Sequence, residues 1–144
     1  PLLTEVEDKQ EAKVEAPIAG GKERILFVDD EAALVQLATS TLGGLGYEVI
    51  GRTSSLEALE LFRTRPDWFD LVITDMTMPN MTGSELAQQL MRLRSDIPVI
   101  LCTGFSEAMT PEKAKALGLR ELIMKPIIKI QIAEAIRRAL DYKE

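Results

Sequence analysis

Leu71-Val72-Ile73-Thr74-Asp75-Met76-Thr77-Met78-Pro79-Asn80 is the stretch on which this 144-residue sequence turns. Its first four residues are apolar or β-branched with no polar alternation, the pattern of a strand covered on both faces. Asp75 ends the run and a turn follows at once through Pro79 and Asn80. One carboxylate therefore stands where a buried strand leaves the core.

Working outward, the same alternation of apolar run and amphipathic stretch repeats. Strands are expected at Arg24–Val28, Tyr47–Gly51, Asp70–Thr74, Ile97–Cys102 and Glu121–Met124. Between them, Leu34, Leu37, Ala38, Thr41, Leu42 and Leu45 recur at helical spacing, and Gly43, Gly44 and Gly46 end that helix. Ser54 or Ser55 can cap a second helix with Leu56, Leu59 and Phe62 on one face, stopped by Pro66. Thr82 can cap a third bearing Leu86, Leu90 and Leu93. Thr110-Pro111 is an N-cap and first-turn pair for a short helix ending at Gly118. Ile128–Tyr142 is the last, with Ile132, Ile136, Ala139 and Leu140 inward. Five strand–helix units in strict alternation imply an α/β fold, a parallel sheet with helices on both faces. Residues 1–22 are polar and charged, closing with Pro17, Gly20 and Gly21, and read as a flexible linker before a domain over 23–144.

Composition narrows the function. A net charge of −6 without a basic stripe argues against nucleic acid or an anionic membrane as partner. No apolar run reaches the roughly 20 residues of a spanning helix, so no membrane contact is expected of this segment. The single cysteine, Cys102, lies in an apolar run and reads as a core filler in a reducing, cytoplasmic setting. The absence of histidine removes histidine-based catalysis and most zinc sites.

In a parallel sheet all strand C-termini share one edge, where ligands bind. Here those ends carry Asp29 and Asp30, Asp75, Thr103, and Lys125 before Pro126. Taken singly each has an ordinary explanation: a helix cap, a turn residue, a surface lysine. Together, three carboxylates repel each other unless cations sit among them. Lys125 supplies one, and an oxygen-only donor set suits Mg²⁺, with Mn²⁺ or Ca²⁺ as alternatives. That is the equipment of phosphoryl transfer, with an aspartate as nucleophile and a metal, a lysine and a hydroxyl to offset charge on the phosphoryl oxygens.

At these positions the chain resembles the receiver domain of two-component response regulators. The matching residues are Val28-Asp29-Asp30-Glu31, Thr74-Asp75-Met76-Thr77-Met78-Pro79-Asn80-Met81-Thr82-Gly83, Leu101-Cys102-Thr103-Gly104 and Met124-Lys125-Pro126. The resemblance covers about residues 23–142 and implies a flavodoxin-like (βα)5 three-layer sandwich with strand order 2-1-3-4-5. It implies Asp75 as phosphoacceptor, taking a phosphoryl group from a histidine kinase or histidine phosphotransfer domain. It implies Mg²⁺ held by Asp30, by Asp29 through water, by Asp75 and by the backbone carbonyl of Thr77. Thr103 would move toward the phosphoryl group, Lys125 would pair with it, and the Lys125–Pro126 bond is often cis in the family. Thr77 and Phe105 fall where the family tunes phosphoryl lifetime. Leu122 occupies the switch position, where the family often has an aromatic residue, and it has no hydroxyl to expose. The helix after Thr103 starts late, leaving Gly104–Met109 as a long, mobile loop.

Such a domain catalyses only its own phosphorylation and dephosphorylation and is expected as a monomer or weak dimer. The polar start after Pro1-Leu2-Leu3, and the loop Thr103-Gly104-Phe105-Ser106-Glu107, resemble the C-terminal receiver of a hybrid histidine kinase. The alternative is a stand-alone response regulator acting by docking. An aspartyl-phosphate phosphohydrolase of the haloacid dehalogenase type needs a second acid two residues after the nucleophile, where Thr77 stands. A flavodoxin-like nucleotide binder needs glycines and hydroxyls after the first strand, where Asp29-Asp30-Glu31 would repel a phosphate. An unphosphorylated pseudo-receiver would have no use for the intact acidic set.

Overall fold

The computed structural model describes residues 18–104 and 109–141. Elements alternate along the chain: β1 (Arg24–Val28), α1 (Ala32–Gly43), β2 (Glu48–Arg52), α2 (Ser55–Thr64), β3 (Leu71–Asp75), α3 (Gly83–Leu93), β4 (Val99–Thr103), α4 (Pro111–Ala116), β5 (Glu121–Met124) and α5 (Lys129–Leu140). The five strands form one parallel sheet in the order β2-β1-β3-β4-β5, the expected flavodoxin-like order.

The unbroken apolar runs explain the three layers. Successive strand side chains point to opposite faces, and here both faces are apolar. Leu26, Val28, Val72, Val99 and Leu101 point to one side, where they meet Leu59 and Phe62 of α2, Leu86 and Leu90 of α3, and Ala114 of α4. Ile25, Phe27, Leu71, Ile73, Ile100 and Cys102 point to the other, against Leu42 of α1 and Ile132 and Ile136 of α5. Every residue of the central strands β3 and β4 is buried. A one-residue slip of either strand would exchange its two apolar faces and shift its polar end out of place, so burial and register fix each other.

Helix starts follow the sequence closely. Ser54 accepts the Glu57 N–H, Thr110 accepts the Lys113 N–H, and Thr82 with Glu85 forms a reciprocal capping box. Two expectations about faces need correction. Leu37 is 62% exposed and Leu56 is 50% exposed. At 100° per residue the buried arc of α1 centres on Val35, Ala38 and Leu42, and that of α2 on Ala58, Leu59 and Phe62. Periodicity locates a stripe, but each leucine lies beyond its edge. The short helix α4 ends at Ala116, before the positive φ of Gly118. The expected loop before α4 includes residues 105–108, Phe105 among them, which lie outside the described residues, as does Tyr142. No helix among the described residues is long and apolar enough to cross a membrane.

Cys102 sits in the middle of the sheet, fully enclosed. Burial, reinforced by the charge of Asp75, pushes its thiol up to about 12. An acid whose folded pKa is raised stays protonated until the pH approaches that value, so no thiolate is available in the folded chain near pH 8. Alkylation of Cys102 by iodoacetamide at pH 8 is therefore expected only on unfolding. Native-state labelling at the rate of an exposed cysteine, followed by mass spectrometry, would contradict this burial.

Candidate functional site

Register converts four strand ends into one site. Val28 pairs with Thr74, so Asp29 and Asp75 lie at the same level on neighbouring strands. Asp75 pairs with Cys102 and Thr103 with Met124, which puts Thr103 and Lys125 one step further along the same edge. Backbone bonds tie these ends together: Met76 N–H donates to Cys102 O at 2.8 Å, and Lys125 N–H to Thr103 O at 2.8 Å.

Asp29, Asp30 and Asp75 each place a carboxylate oxygen within 4.8 Å of the others. Asp29 and Asp75 are buried, Asp75 at 5% exposure, while Asp30 faces solvent. Lys125 Nζ lies 2.9 Å from Asp75 Oδ1 and 3.3 Å from Asp29 Oδ2, with a quarter of its side chain exposed. Burial alone would lower the Lys125 ammonium, but the hydrogen bond to Asp75 and the charges of Asp29 and Asp75 overcome it and hold it above the ordinary lysine value. It stays charged at any physiological pH. Three carboxylates less one ammonium leave two negative charges in a half-enclosed site.

The helix-cap explanation of the acidic pair does not hold. The N-cap of α1 is Glu31, which makes no side-chain cap bond. Asp29 Oδ1 instead accepts the Glu31 N–H at 2.9 Å, which orients the carboxylate and leaves Oδ2 toward Lys125.

The remaining expected residues are placed around this group. Thr103 is fully buried at the end of β4, its hydroxyl 3.4 Å from Gly104 O, long for a hydrogen bond. Thr77 is exposed in the turn two residues past Asp75, and Asn80 closes that turn in the left-handed region at φ 71°. The Lys125–Pro126 peptide is cis. Leu122 is half-buried in β5 and packs into the apolar layer under α2, α3 and α4.

One residue of the matching stretch was given no role from the sequence. Gly83, the first residue of α3, donates its N–H to Met76 O at 2.8 Å. A Cβ there would collide with the Asp75 carbonyl and lie 2.8 Å from Leu101 Cδ1. The missing side chain is what lets α3 rest on the backbone of Asp75. Glycine just inside a capped helix, where it costs helical stability, was the available signal.

Comparison with known proteins agrees with this geometry. The sequence matches the family model described as the response regulator receiver domain over residues 25–137. The chain belongs to that family. The receiver is 35% identical over 120 residues to the "Probable transcriptional regulator ycf27" of Porphyridium aerugineum, across 83% of this chain and 48% of that protein. It thus spans about half the length of the curated relatives it matches. Among solved structures, a receiver domain protein from Clostridium thermocellum superposes with a TM-score of 0.79 at 30% identity, covering 83% of this chain and 94% of that one. A CheY-like receiver domain protein from Methanospirillum hungatei JF-1 gives 0.76 at 30% identity, covering 84% and 95%. Receiver domains bind Mg²⁺ through acidic residues and interact with histidine kinases or phosphotransfer proteins.

The charge balance makes two substitutions diverge in the metal-free receiver. Lys125→Met leaves buried carboxylates without their cation and is expected to cost about 1–3 kcal/mol. Asp30→Asn relieves repulsion at an exposed position and is expected to stabilise, with a gain that shrinks as salt rises. Urea titrations at low and high NaCl test both signs. Gly83→Ala is expected to cost about 1–3 kcal/mol by overpacking, although alanine is the better helix former. A stabilising Gly83→Ala in the same titration would show that α3 does not rest on Asp75.

Proposed function

We infer that this receiver is a phosphoacceptor module in which Asp75 takes a phosphoryl group from a phosphohistidine. The observation that carries the reading is the Asp29–Asp30–Asp75 cluster with Lys125 between two of its carboxylates. Asp75 ends a buried strand and its backbone is fixed by the sheet on one side and by α3 on the other. A carboxylate oxygen of Asp75 attacks phosphorus, the P–N bond of the phosphohistidine breaks, and the leaving imidazole takes up a proton. Lys125 already lies against Asp75 Oδ1 and would stay beside the charge that the phosphoryl group brings. Thr103, buried at the next strand end, would turn its hydroxyl toward a phosphoryl oxygen.

The donor set fits a hard divalent cation: carboxylate oxygens only, within 4.8 Å of one another, with two charges left over. Asp30 and Asp75 would hold Mg²⁺ (Mn²⁺ as the alternative), with Asp29 assisting through water and the Thr77 carbonyl as a further donor. When bound, the ion would neutralise charge on the phosphoryl oxygens during transfer. The exposure of Asp30 leaves the ion a way in from solvent, and the burial of Asp29 and Asp75 limits water around the reacting carboxylate.

The proposed unit is residues 23–144, joined through 1–22 to a preceding part of a cytoplasmic hybrid histidine kinase, and monomeric or weakly dimeric. The resemblance of the loop after Thr103 to receivers of such kinases supports that setting. A kinase core upstream in the gene is the expected finding, and a DNA-binding domain downstream would instead favour a regulator of the kind its curated relatives are named for.

Acetyl phosphate should label the receiver in Mg²⁺, EDTA should abolish the label, and Asp75→Asn should carry none. Asp30→Asn should label only at Mg²⁺ concentrations raised about tenfold or more. Mass spectrometry of the intact chain reads all four, and undiminished labelling of Asp75→Asn would remove Asp75 from the role.

A further inference from the structure

The segment before β1 reads in sequence as the end of a flexible linker, but its last residues are built into the body of the domain. Gly21 donates its N–H to Leu45 O at 3.2 Å. A Cβ on Gly20 would collide with that same carbonyl, and one on Gly21 would collide with Glu23 and come within 2.6 Å of Arg137 Nη1. Neither glycine has a positive φ. They are needed here for close approach, not for conformational freedom.

Arg137, near the end of α5, closes over this seat. Its Nη1 donates to Glu23 Oε1 at 3.0 Å and to Tyr47 Oη at 3.3 Å, and reaches Gly20 O at 3.5 Å. Nη2 donates to Asp141 Oδ1 at 2.7 Å and Nε to Asp141 Oδ2 at 3.3 Å, a bidentate pair that fixes the plane of the guanidinium. One side chain thus joins the incoming segment, the start of β2 and the end of α5, and three-quarters of it is buried. The contact continues back along the chain: Ile18 and Ala19 border a cleft of about 260 Å³ with Ala133, Glu134, Arg137 and Arg138. The small Ala133 on α5 leaves room for the segment to pass close to the helix.

We propose that residues 18–23 form a seated strap, clamped by Arg137 on the Gly20–Gly21 seat, which fixes the direction in which the preceding chain leaves the domain along α5. The receiver is then held to its upstream neighbour by an oriented joint rather than a free tether. The consequence for an attached domain is geometric: its position is restricted to the α5 side of the receiver, which leaves the carboxylate edge open at the opposite end of the strands. Nothing in this joint depends on phosphorylation of Asp75.

The test uses the 144-residue chain with Ala19→Cys. Ala19 is exposed and the native Cys102 is enclosed, so a maleimide fluorophore reports on position 19 alone. Time-resolved anisotropy should show a probe that tumbles with the domain. Arg137→Ala and, independently, Gly21→Ala should each increase the amplitude of fast local motion at least twofold, while Arg137→Lys should fall between. Circular dichroism during urea unfolding separates release of the strap from loss of the fold, because a released strap leaves the transition cooperative. A large fast component already present in the parent would overturn the proposal. So would a probe unmoved by both variants while they remain folded.

Discussion

Everything at the functional edge depends on holding like charges together. Two buried carboxylates and a third at the surface converge within 4.8 Å, an arrangement that side chains left to themselves would avoid. The sheet imposes it. Parallel strands buried on both faces have their register set by apolar packing, and register decides which strand ends meet. The cost of the crowded carboxylates is therefore met by the burial of residues such as Ile73, Val72 and Leu101, which take no part in the chemistry. Lys125 lowers that cost but does not cancel it, and the charge that remains is what the proposed divalent cation would offset.

The same constraint explains where rigidity and openness lie. Asp75 is gripped from three directions, by its strand neighbours, by the Met76–Cys102 backbone bond and by α3 seated through Gly83. Asp30 and Thr77, each two residues past its strand, face solvent. A nucleophile needs a fixed position, and a metal that keeps waters needs access. Division of the site into a buried half and an open half would supply both in the proposed function.

Much of this was legible in the sequence because two-sided burial leaves an unusually plain signature. Runs such as Leu71–Thr74 and Val99–Cys102 contain no polar alternation, and the polar residue that ends each run marks the edge. The capping residues Ser54, Thr82 and Thr110 were equally readable, since a cap is a local interaction between neighbours in sequence. What escaped depends on partners far along the chain. Leu37 and Leu56 lie on helices at the right spacing, yet the centre of each buried arc is set by the sheet beneath. Gly83 looks like an ordinary turn glycine until the Asp75 carbonyl appears against it. Gly20 and Gly21 look like linker until Leu45 and Arg137, the latter 116 residues beyond Gly21, close around them.

Leu122 shows how the proposed function and the packing bear on each other. Leu101 pairs with Leu122 and Thr103 with Met124, so the hydroxyl expected to move and the residue at the switch position belong to adjacent strands two steps apart. Leu122 lies against the apolar layer that includes Leu86, Leu90 and Ala114. With no polar tip, it gains nothing by reaching solvent and loses burial if it does. A displacement of Thr103 can therefore reach the α4–β5 surface through this position only as a change in volume and rotamer. Interiors packed at crystal density transmit such changes efficiently, because a side chain that shifts obliges its neighbours to shift. Under the proposed function, a leucine here would relay a change at the carboxylate edge by repacking, and the surface altered would be set by which apolar neighbours of Leu122 give way.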